Sequence, residues 1–280
     1  MLINRNELQS YIENCLLIGK VCTEKDILYA YEKNGSWNPG YKINSHFELF
    51  VGSVEIDGMY FKMSNDNIIL TLCLSDYKKI NLGDAVDIIG PLAFAWNRKI
   101  YKLIAPAVQS IACNCFNNCS IAYAEFKSLT NMDKSAFNLS SIRKIKIPKL
   151  EIIDSCVFSN CMYLESVNAP KVTRICSYAF SCSAIRKITT EELVFIGENA
   201  FFLCDNLKVI DAPKLKIISE SAFKNCTNLI DVKFTLLDYI GAFAFKSCNS
   251  LRSFNTKKVN RMSDWALKHS PLDDSNDCMP

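Results

Sequence analysis

Histidine is almost absent from this sequence: its 280 residues include only His46 and His269, near opposite ends of the chain. A histidine-based zinc site or a hydrolase triad needs several such groups brought together, so this scarcity argues against both. Glycine is also scarce, with nine residues, and neither a glycine-rich phosphate-binding motif nor a His-Glu-x-x-His motif occurs. The sequence therefore predicts no catalytic residue, no metal site, no cofactor and no enzymatic activity.

Long apolar segments are absent as well. No apolar run approaches the roughly 18–20 residues that cross a membrane, and Arg5, Glu7 and Glu13 place charges where a signal peptide would be apolar. The formal net charge of +3 and the 49% hydrophobic content are those of an ordinary globular protein. We therefore expect a cytoplasmic protein without a membrane partner, unless the chain is exported without a cleaved signal.

Cysteine, by contrast, is abundant, with 14 residues. In a reducing compartment these residues should remain thiols. The densest cluster is Cys113, Cys115 and Cys119, for which a thiolate metal site or a redox thiol would be the functional interpretation. No fourth ligand lies nearby in the sequence, and Cys119 occupies a position that recurs along the chain. We therefore favour buried packing for this cluster.

A repeat of 21 or 22 residues organises most of the chain. Its marker is a phenylalanine with an apolar residue five positions before it and, in most copies, a cysteine three positions after it. The marker phenylalanines are Phe116, Phe137, Phe158, Phe180, Phe201, Phe223 and Phe245. A fixed period of this length is typical of a solenoid, in which stacked coils bury the side chains that one coil cannot enclose alone.

The most regular copy runs from Ala212 to Val232 and follows the pattern Pro-Lys-Leu-x-x-Ile-x-x-x-Ala-Phe-x-Asn-Cys-x-x-Leu-x-x-Ile. This pattern resembles the BspA-type leucine-rich repeat, over about residues 84–268. The resemblance implies a solenoid that binds other macromolecules, and it brings no catalytic residues. Many members of that family are secreted or surface-attached, an implication that the missing signal peptide does not support. The predicted fold class is a β-rich solenoid of leucine-rich repeats with a small α+β N-terminal cap.

Residues 1–44 are predicted to form a helical N-terminal segment. A first helix over residues 4–18 would be capped by Asn4 or Asn6, and a second helix would cover about residues 24–33. The residues expected to share one face of the first helix are Leu8, Ile12 and Leu16.

Residues 45–83 are predicted to form a β-rich cap, because an open end of a solenoid would expose its core. Two interpretations compete for the segment that follows. Residues 45–105 together resemble an OB-like barrel, a fold that often binds single-stranded nucleic acid. The second interpretation makes residues 84–105 a further repeat with Phe94 as its marker, and we favour it because it explains more residues. Residues 269–280 are expected to be a C-terminal cap or tail.

The residues suited to recognising a partner lie on the outer face of the repeated strand. Alternation along a strand places the sixth and ninth residues after each phenylalanine inward and the eighth and tenth outward, with the seventh at least partly exposed. Basic residues outnumber acidic ones at these outward positions. The candidate partner-binding residues are Tyr101, Lys102, Tyr123, Arg143, Lys144, Lys146, Arg186, Lys187, Lys208 and Arg252.

This basic face leads to two functional hypotheses. The first is a non-enzymatic scaffold for protein–protein interaction that binds a partner with an acidic surface, as an adaptor, an effector or a neutralising partner. The alternative is nucleic-acid binding by an OB-like N-terminal domain with help from the basic face. A purely structural explanation competes with both, because lysines on strands keep a sheet soluble and block edge pairing. The sequence does not predict the oligomeric state.

Overall fold

The chain forms two compact units, Met1–Ile147 and Pro148–Pro280, which we call the N-terminal unit and the C-terminal unit. The residues that the computed structural model describes are 4–23, 52–252 and 259–273. The predicted second helix over residues 24–33 and His46 lie outside these ranges.

Helix α1 (Arg5–Leu17) begins at its predicted cap. The side chain of Asn4 accepts hydrogen bonds from two backbone N–H groups of the first turn, at 3.0 and 3.2 Å, and so satisfies donors that a helix start leaves unpaired. The buried residues of the helix are Leu8, Ile12 and Cys15. Leu16 is 49% exposed, so its predicted place on the buried face is wrong. Because a helix has about 3.6 residues per turn, either the third or the fourth residue after Ile12 can continue the buried face, and here Cys15 does so instead of Leu16.

Three antiparallel strands form the N-terminal cap: β1 (Val54–Ile56), β2 (Met59–Ser64) and β3 (Asn67–Cys73). Two-residue turns connect them. Asp57-Gly58 has φ angles of 51° and 75°, and Asn65-Asp66 has φ angles of 47° and 62°. Two successive positive φ angles match the twist of a hairpin, and Asn, Asp and Gly adopt them at the lowest cost. The residues Asp57-Gly58 and Asn65-Asp66 therefore suit the two tight connections of the cap.

Each later coil of the N-terminal unit contributes one three-residue strand and one two-residue strand. These strands are β4 (Lys79–Asn81), β5 (Ile88–Ile89), β6 (Lys102–Ile104), β7 (Ser110–Ile111), β8 (Tyr123–Glu125), β9 (Asn131–Met132) and β10 (Lys144–Lys146). Strands β4, β6, β8 and β10 pair in parallel as one ladder. Strands β3, β5, β7 and β9 pair in parallel as a second ladder. Parallel pairing through residues 84–105 is the arrangement that the repeat interpretation of this segment predicts.

The C-terminal unit repeats the same plan. Its strands are β11 (Ile152–Ile153), β12 (Ser166–Asn168), β13 (Arg174–Ile175), β14 (Lys187–Thr189), β15 (Phe195–Ile196), β16 (Val209–Asp211), β17 (Ile217–Ile218), β18 (Asp231–Lys233), β19 (Tyr239–Ile240) and β20 (Arg261–Met262). The three-residue strands β14, β16 and β18 form one parallel ladder. The two-residue strands β11, β13, β15, β17, β19 and β20 form the other.

Stacked phenylalanine rings fill the core of each unit. In the N-terminal unit the ring centroids of Phe94, Phe116 and Phe137 are 4.9 and 4.5 Å apart. In the C-terminal unit the four successive distances from Phe158 to Phe245 lie between 5.1 and 5.3 Å. All of these rings are fully buried. The predicted β-rich solenoid with a small N-terminal cap is confirmed.

The recurrent cysteine is part of the same core. The thiol of Cys204 donates a hydrogen bond to the carbonyl of Phe180 at 2.9 Å, and the thiol of Cys226 donates to that of Phe201 at 3.0 Å. Each thiol therefore adds a hydrogen bond to a buried carbonyl one coil earlier that already accepts a backbone N–H group, a bond that an aliphatic residue could not form. All 13 cysteines in the described part of the chain are free thiols.

A close approach between coils makes one glycine necessary. A Cβ atom at Gly241 would lie 2.5 Å from the backbone nitrogen of Glu220, an atom that cannot move without shifting its coil. We expect Gly241→Ala to lower the free energy of unfolding by about 1–3 kcal/mol, measured by urea denaturation. Ser219→Ala, at the matching position one coil earlier, should change it by less than about 0.5 kcal/mol. Equal effects of the two substitutions would contradict the steric explanation.

Candidate partner-binding surface

One ladder of the N-terminal unit carries a cluster of basic residues on its outer side. The middle residue of β4, β6, β8 and β10 is buried and the flanking two are at least partly exposed, as strand alternation predicts. The register aligns one outward residue of each strand in a row, namely Lys79, Lys102, Tyr123 and Lys144. We call the following residues the lysine face: Lys78, Lys79, Tyr101, Lys102, Tyr123, Glu125, Arg143, Lys144 and Lys146.

Tyr123 lies at the centre of the lysine face. The ammonium groups of Lys102 and Lys146 lie 5.0 and 5.9 Å from the centroid of its ring. Its hydroxyl donates a hydrogen bond to Glu125 at 2.6 Å, and Lys146 lies 3.4 Å from the same carboxylate. Because neighbouring strands are about 4.8 Å apart, long side chains from adjacent coils reach one aromatic ring.

The same contacts bias the ionisation of two groups. The Tyr123 hydroxyl lowers the pKa of Glu125, and the charge of Lys146 acts in the same direction. Burial raises the pKa of Tyr123, and its hydrogen bond to Glu125 adds to that effect. Glu125 is therefore held as a carboxylate that positions Tyr123 and Lys146, and the tyrosine remains a neutral donor.

The two candidate tyrosines differ in exposure. Tyr101 is 53% exposed, whereas Tyr123 is half-buried under the lysine side chains. Of the pair, Tyr101 is thus the one that presents a free aromatic surface, while Tyr123 supports the surrounding charges.

Two basic residues of the lysine face were not found by the sequence reasoning. Lys78 and Lys79 are exposed and lie at β4, in the segment assigned to the cap. The signal was present, since Lys79-Ile80-Asn81 precedes the similar Lys102-Leu103-Ile104 by 23 residues. It was overlooked because no marker phenylalanine accompanies that copy.

The remaining candidates lie in the C-terminal unit. Backbone hydrogen bonds align Arg186, Lys208, Ile230 and Arg252 along successive coils, and the three basic residues of this row are exposed. Lys187 points outward from β14, in the same row as Asp231, and an Asp–Lys ion pair of 3.9 Å joins β16 and β18. The outer side of this ladder therefore carries two aspartates, Asp211 and Asp231, among its basic residues, whereas the lysine face carries one carboxylate.

The described residues give little support to thiol chemistry or metal binding. Burial raises the pKa of Cys119 to about 12 and raises that of Cys115 well above its ordinary value, so neither is an activated thiolate. Within the described ranges no group of His, Cys, Asp and Glu side chains is arranged to hold a metal ion. No helix there is both long and apolar enough to cross a bilayer.

Comparison with known sequence families identifies the repeat. The family model described as the BspA type leucine rich repeat region, in six copies, matches residues 72–186 and 173–276. The match begins before residue 84, consistent with the coil geometry of residues 84–105. No curated protein matches the chain.

Structure comparison finds solved proteins that are similar to this chain. The pneumococcal vaccine antigen PcpA is 14% identical, with a TM-score of 0.55 over 78% of this chain and 79% of its own. A leucine-rich repeat protein from Bacteroides ovatus is 21% identical, with a TM-score of 0.49 over 78% of this chain and 67% of its own. A leucine rich cell surface protein from Faecalibacterium prausnitzii is 17% identical, with a TM-score of 0.44 over 77% and 86%. At these identities the likeness to PcpA shows the fold alone.

Proposed function

Because the chain belongs to the BspA-type leucine-rich repeat family, we propose that it is a non-enzymatic scaffold for protein–protein interaction. Repeat solenoids present extended surfaces on which neighbouring coils act together. The proposed partner is a protein with an acidic surface that binds the lysine face, and the chain would act as an adaptor, an effector or a neutralising partner. The cytoplasmic location stays a prediction.

The charge distribution of the lysine face is the observation that carries this proposal. Its six basic residues surround one carboxylate, Glu125, which the site itself engages through Tyr123 and Lys146. A single exposed ion pair contributes only about 0–1 kcal/mol. Several like charges on neighbouring coils create a local positive potential that steers an acidic partner and excludes basic ones.

The neighbouring aromatic residue supports a protein partner. Tyr101 exposes about half of its surface beside Lys78 and Lys102. Tyrosine is enriched at interface hot spots because it buries a large rigid ring while its hydroxyl remains hydrogen-bonded. In the C-terminal unit the candidates Arg186, Lys187, Lys208 and Arg252 remain part of the proposal as a secondary, mixed-charge surface.

We expect charge reversal at two positions of the lysine face, Lys102→Glu with Lys144→Glu, to abolish capture of an acidic partner. Each substitution replaces attraction by repulsion, and like charges opposed across an interface cost several kcal/mol. The measurement is affinity capture with the full chain as bait, quantified by mass spectrometry, with circular dichroism to show that the variant is folded.

The matched control is Arg98→Glu with Lys134→Glu, which changes the net charge equally at exposed positions of the same unit outside the lysine face. An acidic protein captured by the wild type and the control, but not by the reversed variant, is the expected result. Equal capture by both variants would contradict the proposal. The nucleic-acid alternative makes a different prediction. The wild type would then be retained on single-stranded DNA at about 50 mM salt, and nuclease treatment would abolish capture of the partner.

A further inference from the structure

The two-residue strands of the C-terminal unit also align one outward residue from each coil. The register of this ladder places six side chains in a single row: Ile152, Arg174, Phe195, Ile217, Tyr239 and Arg261. We call it the Arg–Phe row. The second residue of five of these strands is buried in the core, so the first faces outward by alternation.

The Arg–Phe row exposes apolar surface. Ile152 is 46% exposed and Ile217 is 37% exposed, and the ring of Phe195 between them is half-buried. A single exposed aliphatic residue is ordinary, but several on neighbouring coils form a continuous patch. With strands about 4.8 Å apart, the four residues from Ile152 to Ile217 extend over about 14 Å.

The repeat itself does not require an apolar residue at this position. The matching outward residues of β5, β7 and β9 in the N-terminal unit are Ile88, Ser110 and Asn131. A polar residue therefore fits the coil equally well. The structure of the coil therefore does not explain why Ile152, Phe195 and Ile217 are apolar.

Arg174 gives this patch a specific chemistry. Its guanidinium carbon lies 4.3 Å from the centroid of the Phe195 ring, a stacked arrangement that fixes the direction of the side chain. Arg261, at the end of the row, already contacts Asp238 at 3.6 Å. No described residue, in contrast, forms an ion pair or hydrogen bond with the Arg174 guanidinium. The planar guanidinium of Arg174 is therefore held in one orientation in a row with Ile152, Phe195 and Ile217, and no described carboxylate pairs with it.

We propose that the Arg–Phe row is a second docking surface, which binds a protein segment carrying one carboxylate between apolar side chains. The planar guanidinium of Arg174 donates two parallel hydrogen bonds to the oxygens of a carboxylate. Ile152 and Ile217 contact the apolar side chains on either side, and Phe195 holds the arginine in place. Arginine and aromatic anchors surrounded by apolar contacts are the usual composition of an interface hot spot. This surface differs in chemistry from the lysine face, so the chain has two sites for two partners.

Peptide selection tests this surface directly. A random peptide library displayed on phage is selected against the immobilised full chain, and enriched peptides are synthesised and titrated by fluorescence anisotropy. The expected peptides carry Asp or Glu next to aliphatic or aromatic residues. Arg174→Ala should weaken their binding at least about tenfold, the effect of losing one hot-spot residue. Replacing the peptide carboxylate by its amide should weaken wild-type binding similarly and have little further effect on the variant.

Two further variants distinguish the contribution of the planar, stacked guanidinium of Arg174 from that of its charge alone. Arg174→Lys keeps the charge but loses the planar fork, and should still weaken binding by about threefold or more. Lys171→Ala removes a nearby exposed charge of the same unit and should leave the affinity unchanged. Equal effects of Arg174→Ala and Lys171→Ala would overturn the proposal.

The remaining outcomes also overturn it. Recovery of no binding peptide, or of peptides without a carboxylate, would do so. So would peptides whose binding is lost in the Lys102→Glu, Lys144→Glu variant but not in Arg174→Ala, because they would belong to the lysine face. If sedimentation shows a wild-type dimer that Arg174→Glu dissociates, the occupant of the row is a second copy of this chain and not a partner segment.

Discussion

Phe201→Ala is expected to lower the free energy of unfolding by about 3–5 kcal/mol. The ring of Phe201 is fully buried and stacks on Phe180 and Phe223, each at a centroid distance of 5.1 Å. Truncation removes both contacts and leaves a cavity in the middle of the stack. Neighbouring coils cannot close this cavity, because backbone hydrogen bonds on both sides of the ring fix their separation.

Urea denaturation followed by circular dichroism measures this loss, and the adjacent residue supplies the control. Phe202 is half-buried and its ring faces Lys224 on the surface, with 5.8 Å between the ammonium group and the ring centroid. Phe202→Ala should therefore cost less than about 1 kcal/mol. If the two substitutions destabilise the chain equally, the phenylalanine stack is not the main source of stability in this unit.

The repeat made the core of this protein predictable. Residues that recur every 21 or 22 positions must meet their own copies in a stack, so the identity of the buried Phe, Ile and Cys positions follows from the period. The outward direction of Lys102 and Lys144 follows from alternation along the strand. The same argument failed for Leu16, because a single short helix has no repeated copies to show which face is buried.

The surfaces were less predictable than the core. A solenoid row is formed by residues from different coils, and coils of 21 and 22 residues shift the numbering between them. Lys79 was missed because its coil lacks the marker phenylalanine. The stacking of Arg174 on Phe195 was missed because the two residues belong to different coils and meet only through the pairing of β13 with β15. In both cases the parallel register supplied the missing information.

The two proposed surfaces make different physical demands on a partner. The lysine face is largely electrostatic, so its association should be fast and should weaken as salt screens the charges. The Arg–Phe row combines one oriented charge with apolar contacts. Differences in affinity at this row should therefore come mainly from the dissociation rate, and salt should affect them much less. Salt dependence alone therefore assigns a newly found partner to one surface or the other.

The buried thiols predict a steep loss of stability in alkali. Burial raises the pKa of Cys73, Cys119, Cys204 and Cys248 to about 12, and it raises that of Cys115 and Cys226 well above the ordinary value of 9.0. These thiols stabilise the folded state fully below about pH 9. As the pH rises above 9, the unfolded chain loses protons that the folded chain retains, so unfolding becomes more favourable. Each thiol therefore lowers the free energy of unfolding by about 1.4 kcal/mol for each pH unit over this range.

Because six such thiols act in the same direction, their combined loss of stability should become comparable with the roughly 5–15 kcal/mol that is typical of a domain. We expect cooperative unfolding as the pH rises above about 10, measured by circular dichroism with a reductant present. Cys226→Ala is the informative variant: it should be less stable at pH 7, because it loses the hydrogen bond to Phe201, yet its stability should fall less steeply above pH 9. The two proteins differ only at residue 226, so the difference in slope reports the effect of this thiol together with its influence on the neighbouring Cys204 and Cys248. Identical slopes would mean that the thiolate of Cys226 is tolerated inside the folded chain.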